Sequence, residues 1–169
     1  MDTYVCYTDG SYGKNGETHG GIVYWGGSVE KSKCIHVYTT RPEFVGMNNV
    51  GGEILAAYSA LLSFVAKARK LNEEVGLNML ELQIVYDYEG VGKWATGQWK
   101  TNKLATKWYA RKVRELLESA PNLKVTWIWT KGHQGNSGNE LADKVANYNM
   151  SYVNSHNIPV CNMTELIDL

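Results

Sequence analysis

The apolar periodicity of this chain changes character near Glu53, and that change limits the folds open to it. Up to Thr40 apolar and polar residues alternate in short runs, whereas from Glu53 to Lys70 they recur at helical spacing. Thr3–Thr8, rich in Tyr, Val and Thr, reads as a strand that ends at Asp9-Gly10. After a turn at Gly13–Gly16, Gly21–Trp25 and Lys33–Thr40 read as a second and a third strand. Glycine-bearing links of this length join antiparallel neighbours, because a parallel crossover needs about a dozen residues or more. An antiparallel meander is therefore expected first.

From Glu53 to Lys70, Ile54, Ala57, Leu61, Val65 and Ala68 lie on one helical face, and Gly51-Gly52 marks the turn into that helix. Leu80–Tyr86 is a strand, followed from Asp87 by a short helix through Ala95. Thr96–Asn102 is a loop, and an amphipathic helix then runs to Ser119, where Pro121-Asn122 breaks it. Lys124–Lys131 alternates as a strand, Gly132–Gly138 is a glycine-rich loop, and Asn139–Tyr148 is the last helix. The order predicts an α/β fold: a mixed five-stranded sheet, meander first and parallel strands after, with helices on both faces. Residues 1–148 form one domain, and 149–169 is a C-terminal extension that either packs as an added strand or helix or is mobile.

Composition narrows the class. With 44% hydrophobic and 20% charged residues over 169 positions, the chain is a folded domain with one sizeable core. The longest apolar runs are broken by Gly, Lys or Glu, so no membrane span and no membrane partner are expected. The start, MDTYVCYTDGS, lacks the features of a secretory signal, and three cysteines form no disulfide framework. A cytoplasmic monomer is the expectation. Net charge is zero, but Lys93, Lys100, Lys103, Lys107, Arg111, Lys112 and Arg114 follow one another without an acid, with Trp94, Trp99 and Trp108 interleaved. Such a run is either a solvated helix face or a local phosphate-binding surface.

The acids carry the chemistry. Asp9 ends the first strand, Glu53 opens the first helix, Asp87 ends the fourth strand and Asp143 lies in the last helix. Taken singly, each has a plain structural explanation as a turn, cap or dipole residue. Taken together, the first and fourth strands are expected side by side, so Asp9 and Asp87 share the crevice outside their carboxyl ends. Carboxylates gathered without basic partners repel one another unless cations sit among them, and oxygen-only ligation suits Mg²⁺ or Mn²⁺. Two such ions about 4 Å apart serve phosphodiester displacement.

The segments around these acids resemble the type 1 ribonuclease H family. Tyr7–Ser11 (YTDGS) resembles its first aspartate motif, and Asn49–Ile54 (NVGGEI) resembles the segment that holds its glutamate. Tyr86-Asp87-Tyr88 stands where the family has an aspartate followed by Ser. Lys131-Gly132-His133, followed by Gly138–Asp143 (GNELAD), resembles its histidine loop and last aspartate. The resemblance runs in order from Thr3 to Asn147.

It implies hydrolysis of the RNA strand of an RNA–DNA hybrid with two Mg²⁺ ions, for which Mn²⁺ substitutes. Asp9 would bridge the ions, Glu53 and Asp87 would complete one shell and Asp143 the other. His133 would assist proton transfer or product release. Asn49, Gly51 and Gly52 are candidates to read RNA 2′-hydroxyls, glycine letting a sugar–phosphate backbone approach. Trp99, Lys100 and Thr101 resemble an element near the DNA strand, and Asn139 is a candidate for substrate contact or capping. The chain departs from the family at Tyr88, in the longer Asn49–Glu53 spacing and in the short segment between Trp94 and Trp99.

Overall fold

A computed structural model describes residues 2–76, 78–131 and 135–169. Its strands are β1 (Asp2–Gly13), β2 (Glu17–Tyr24), β3 (Lys33–Thr39), β4 (Leu80–Tyr86), β5 (Leu123–Trp129) and β6 (Val160–Asn162). They form one mixed sheet in the order β5-β4-β1-β2-β3-β6. β1, β2 and β3 are the expected antiparallel meander, and β4 and β5 add parallel to β1. The sheet has six strands rather than five, because the C-terminal extension contributes β6, parallel to β3.

The helices are α1 (Pro42–Val45), α2 (Asn49–Val75), α3 (Gly90–Ala95), α4 (Leu104–Ser119), α5 (Ser137–Ala146) and α6 (Ser151–Ser155). α2 and α4 cover one face of the sheet, where Ile54, Leu55, Leu61, Trp108, Tyr109 and Val113 join Leu82 and Ile84 in the main core. α5 covers the other, with Leu141, Ala142 and Val145 packed on Val23. Adjacent glycines of β2 show the two layers. A Cβ on Gly20 would lie 2.8 Å from Ala56 of α2, whereas one on Gly21 would lie 3.1 Å from Val145 of α5.

α2 corrects two expectations. It starts at Asn49, one turn before Glu53, so Glu53 does not open it. It is also long and apolar enough by composition to match a membrane span, contrary to the reading of broken runs. However, 72% of its most apolar window is buried inside the fold. That apolarity serves the core.

The extension packs. Met163 and Ile167 are buried in the main core, and the Trp108 indole donates to Asp168 at 2.9 Å. Lys112 and Arg111 donate to the Asp168 side chain and carbonyl, and Arg41 to the Ile167 carbonyl at 2.6 Å. The indole first, then Lys112, hold the Asp168 carboxyl down to about 2. Two cations of the basic run therefore bind the chain's own tail rather than lying open as a phosphate-binding face. Ile167→Ala is expected to cost about 2–4 kcal/mol in denaturant unfolding. Leu166→Ala, at a position 54% exposed, is expected to stay within about 0.5 kcal/mol.

Candidate active site

Strand register places the first two acids. β1 and β4 pair from Asp2↔Leu80 to Tyr7↔Val85, and continuing that register by two residues sets Asp9 beside Asp87. β1 does not end at Asp9, as the sequence reading has it. It runs on to Gly13, paired with β2 alone, with Asp9 opposite Gly21. The site opens where β4 stops and β1 continues.

Glu53 arrives from α2 because the helix lands on bare backbone. A Cβ on Gly10 would collide with the Asn49 carbonyl and the Glu53 amide, and one on Gly52 with the His19 carbonyl. The Asp9-Gly10 pair is thus no turn; its glycine is the seat of α2. Gly51 and Gly52 are both buried, and a Cβ on Gly51 would meet the Phe44 backbone. Internal packing by itself requires glycine at these two positions. Asn49 is exposed at the helix start.

Oxygen atoms of Asp9, Glu53 and Asp87 all lie within 4.8 Å of one another, and Asp9 and Glu53 are buried. The Gly10 amide donates to Asp9 at 2.9 Å and to Glu53 at 3.1 Å. Burial is the largest influence on Asp9. The hydrogen bond with Glu53 opposes it, the Asp87 charge adds to it, and the carboxyl is pushed up to about 6. Burial, then the charge and hydrogen bond of Asp9, then Asp87 push Glu53 well above the carboxylate range. Glu53 Oε2 is buried with no hydrogen-bond partner among the described residues. A buried, unpartnered carboxylate oxygen beside two further carboxylates fits a hard divalent cation, which would relieve the repulsion and take the orphaned lone pairs.

Asp143 is not drawn into this three-residue group. It lies exposed on α5, and its charge is the weakest of the influences raising Asp9. His133 and Gly132 lie outside the described residues. The Asn139 side chain donates to Thr130 at 3.2 Å, tying α5 to the end of β5. The cap expected of Asn139 belongs to Asn136, which accepts from the Gly138 and Asn139 amides.

Beside the acids a groove of about 350 Å³ runs between the start of α2 and the α3–α4 segment. Asn48, Tyr88, Trp94, Lys100 and Lys103 line it. Trp99 packs edge-on against two of its lining rings, with centroids 6.4 Å from Tyr88 and 5.7 Å from Trp94. Thr101 is half-buried next to it. Lys100 is expected here from the sequence, whereas Asn48 and the lining role of Tyr88 come only from the fold. Asn48 holds φ at 57°, uncommon outside glycine, while Thr18 donates to its carbonyl at 2.7 Å. Its one legible signal was a second Asn ahead of the helix.

Residues 1–151 match the RNase H family profile. The chain belongs to the ribonuclease H family. It is thus a member of a family of endonucleolytic hydrolases. A ribonuclease H from Brucella ovis is 33% identical over 157 residues, covering 89% of this chain and 91% of the relative. One from Polynucleobacter asymbioticus is 32% identical over 152 residues, covering 85% and 86%. Among solved structures, ribonuclease H1 from the halophilic archaeon Halobacterium salinarum superposes with a TM-score of 0.55 at 21% identity, covering 90% of this chain and 98% of that one. A ribonuclease H1 isolated from compost gives 0.56 at 21%, covering 86% and 93%. At that identity the structural likeness speaks for the ribonuclease H fold.

Proposed function

We propose that this ribonuclease H hydrolyses the RNA strand of RNA–DNA hybrids as an endonuclease, with two Mg²⁺ ions, leaving 3′-hydroxyl and 5′-phosphate ends. The observation that carries the reading is the self-repelling Asp9–Glu53–Asp87 cluster, with Asp9 and Glu53 buried and, among the described residues, no partner for one Glu53 oxygen. Asp9, Glu53 and Asp87 would hold one ion, and Asp9 with Asp143 the other; Mn²⁺ is the natural substitute. Bound there, Mg²⁺ supplies Lewis-acid stabilisation of a phosphodiester undergoing in-line displacement by water.

The protein's own contribution is placement. The sheet fixes Asp9 and Asp87, and α2 fixes Glu53, before substrate arrives. His133, by the resemblance, assists proton transfer or product release. Trp99, Lys100 and Thr101 beside the groove suit a sugar–phosphate backbone, with Lys100 and Lys103 neutralising phosphate. Asn49 and the first amides of α2, at Gly51 and Gly52, are proposed to read 2′-hydroxyls, and Asn139 serves the site by holding α5 to Thr130. The free thiols of Cys6, Cys34 and Cys161 suit the reducing, cytoplasmic setting proposed for it.

Product chemistry tests the reaction. After Mg²⁺-dependent digestion of a labelled hybrid, 5′ ends ligatable without phosphorylation are expected. A 2′,3′-cyclic phosphate product would mean attack by the RNA's own hydroxyl and would overturn the assignment. Trp99→Ala is expected to raise KM for the hybrid about fivefold, with kcat changed less than about twofold. A fall confined to kcat would remove Trp99 from substrate binding.

A further inference from the structure

Two buried histidines on the α5 face of the sheet are unused by the proposed chemistry. His19 of β2 is 3% exposed and His36 of β3 is fully buried. His19 Nδ1 lies 2.8 Å from His36 Nε2, and His36 Nδ1 lies 2.6 Å from the Val145 carbonyl in α5. A carbonyl only accepts, so His36 Nδ1 carries the proton. In the neutral ring Nε2 then accepts, so His19 Nδ1 is the donor. His19 Nε2 is left buried without a hydrogen-bond partner among the described residues, 3.6 Å from the Glu17 carboxylate. Burial pushes both imidazoles down, His36 to about 4, so both rings are neutral at pH 7, and the Val145 carbonyl then sets the tautomers.

What this pair holds is the end of a helix. The Val145 carbonyl is among the last four of α5, which a helix leaves without an internal donor. The amide four residues on, Asn149, donates instead to the Asn147 side chain at 3.1 Å. His36 therefore caps α5 from across the sheet. Gly21, opposite His36 in the β2–β3 register, leaves no side chain between strand and helix, so α5 rests directly on backbone there. A smooth contact of that kind resists sliding along the helix axis poorly. The imidazole is a fixed point, and Asp143 lies two residues before the carbonyl it grips.

We propose that His36, its tautomer fixed by His19, is a positioning residue that sets the axial register of α5 and so the reach of Asp143 toward Asp9, Glu53 and Asp87. This rests on the reading that Asp143 serves the same metal site. In the full chain, His36→Leu removes the grip, whereas His36→Asn offers an amide N–H near the place of Nδ1. His36→Leu is expected to speed hydrogen exchange in the last turn of α5 about tenfold in metal-free protein. It should also raise the Mg²⁺ concentration for half-maximal hybrid cleavage about tenfold, with the saturated rate within about threefold. His36→Asn should return both to within about twofold of the original.

Equal behaviour of the Leu and Asn variants, or unchanged α5 exchange in the Leu variant, would overturn the proposal. Should His36→Leu not fold, His19→Phe keeps His36 and removes only its tautomer partner. Faster α5 exchange there supports the proposal, and unchanged exchange overturns it. Failure of the unmutated protein to cleave a hybrid would count against the reaction alone, and the exchange arm would still decide the positioning role.

Discussion

Asp9→Asn is expected to abolish hybrid cleavage and, at the same time, to stabilise the metal-free protein. The first effect follows from its place: Asp9 belongs to the three-acid cluster, feels the charge of Asp143 as well, and is the one assigned to both ions. A loss on the order of 10³-fold in kcat/KM is expected, about 4 kcal/mol of transition-state stabilisation. The second follows from its protonation. An Asp pushed up from 3.8 to about 6 is held ionised at neutral pH against burial and neighbouring charge. Because the folded-state pKa lies above the unfolded value, its stabilising share is complete below about pH 4 and is lost as pH rises through about 6. At pH 7 the ionised carboxylate costs on the order of 2 kcal/mol, which an amide does not incur.

The variant should therefore melt roughly 4–8 °C higher than the parent at pH 7 without metal. Between pH 4 and 6 the gap should close as Asp9 in the parent takes up its proton. Mg²⁺ should raise the parent's melting temperature and leave the variant's nearly unmoved. A metal-free parent whose stability, measured against the variant, does not change between pH 4 and 7 would contradict the electrostatic account of the site.

Gly52→Ala is expected to carry the largest stability loss of any single methyl addition near the site. The added Cβ would strike the His19 carbonyl and come within 3.2 Å of Gly10 Cα. These are backbone atoms of the two central strands and have nowhere to go, so α2 must lift. The face that lifts includes Ile54, Leu55 and Leu61, all fully buried. A cost of about 3 kcal/mol in denaturant unfolding is expected. Glu53 is the next residue, so cleavage should fall further than stability alone explains. Gly16→Ala is the control: its Cβ meets nothing within 4 Å and pays only for a φ of +77°. That substitution should cost about 1 kcal/mol and leave activity intact. Similar losses at both positions would mean that α2 is not seated as described.

The part of this site written in local pattern was legible in the sequence. Alternation gave the meander, helical spacing gave the buried face of α2, and the expectation that the first and fourth strands lie side by side gave the proximity of Asp9 and Asp87. What was not legible depended on contacts between distant segments. Asp9-Gly10 carries a turn-like dipeptide, yet the strand runs through it, because the glycine answers α2 rather than its own chain. The start of α2 at Asn49 was hidden by Gly51-Gly52, poor helix formers held helical by packing on Phe44 and His19. The sixth strand is three residues long, too short for any period to register. His19 and His36 sit in strand segments that look ordinary in sequence, and only the fold brings them to one another and to Val145.

The most direct measurement is Mg²⁺-dependent cleavage of an end-labelled RNA–DNA hybrid, run beside duplex RNA, duplex DNA and single-stranded RNA, with Asp87→Asn as control. Cutting confined to the RNA strand of the hybrid, and absent in the variant, is the predicted result. Binding of the hybrid without cutting in Mg²⁺ or Mn²⁺, or cutting that persists in Asp87→Asn, would contradict the assignment of the acidic cluster as the catalytic centre.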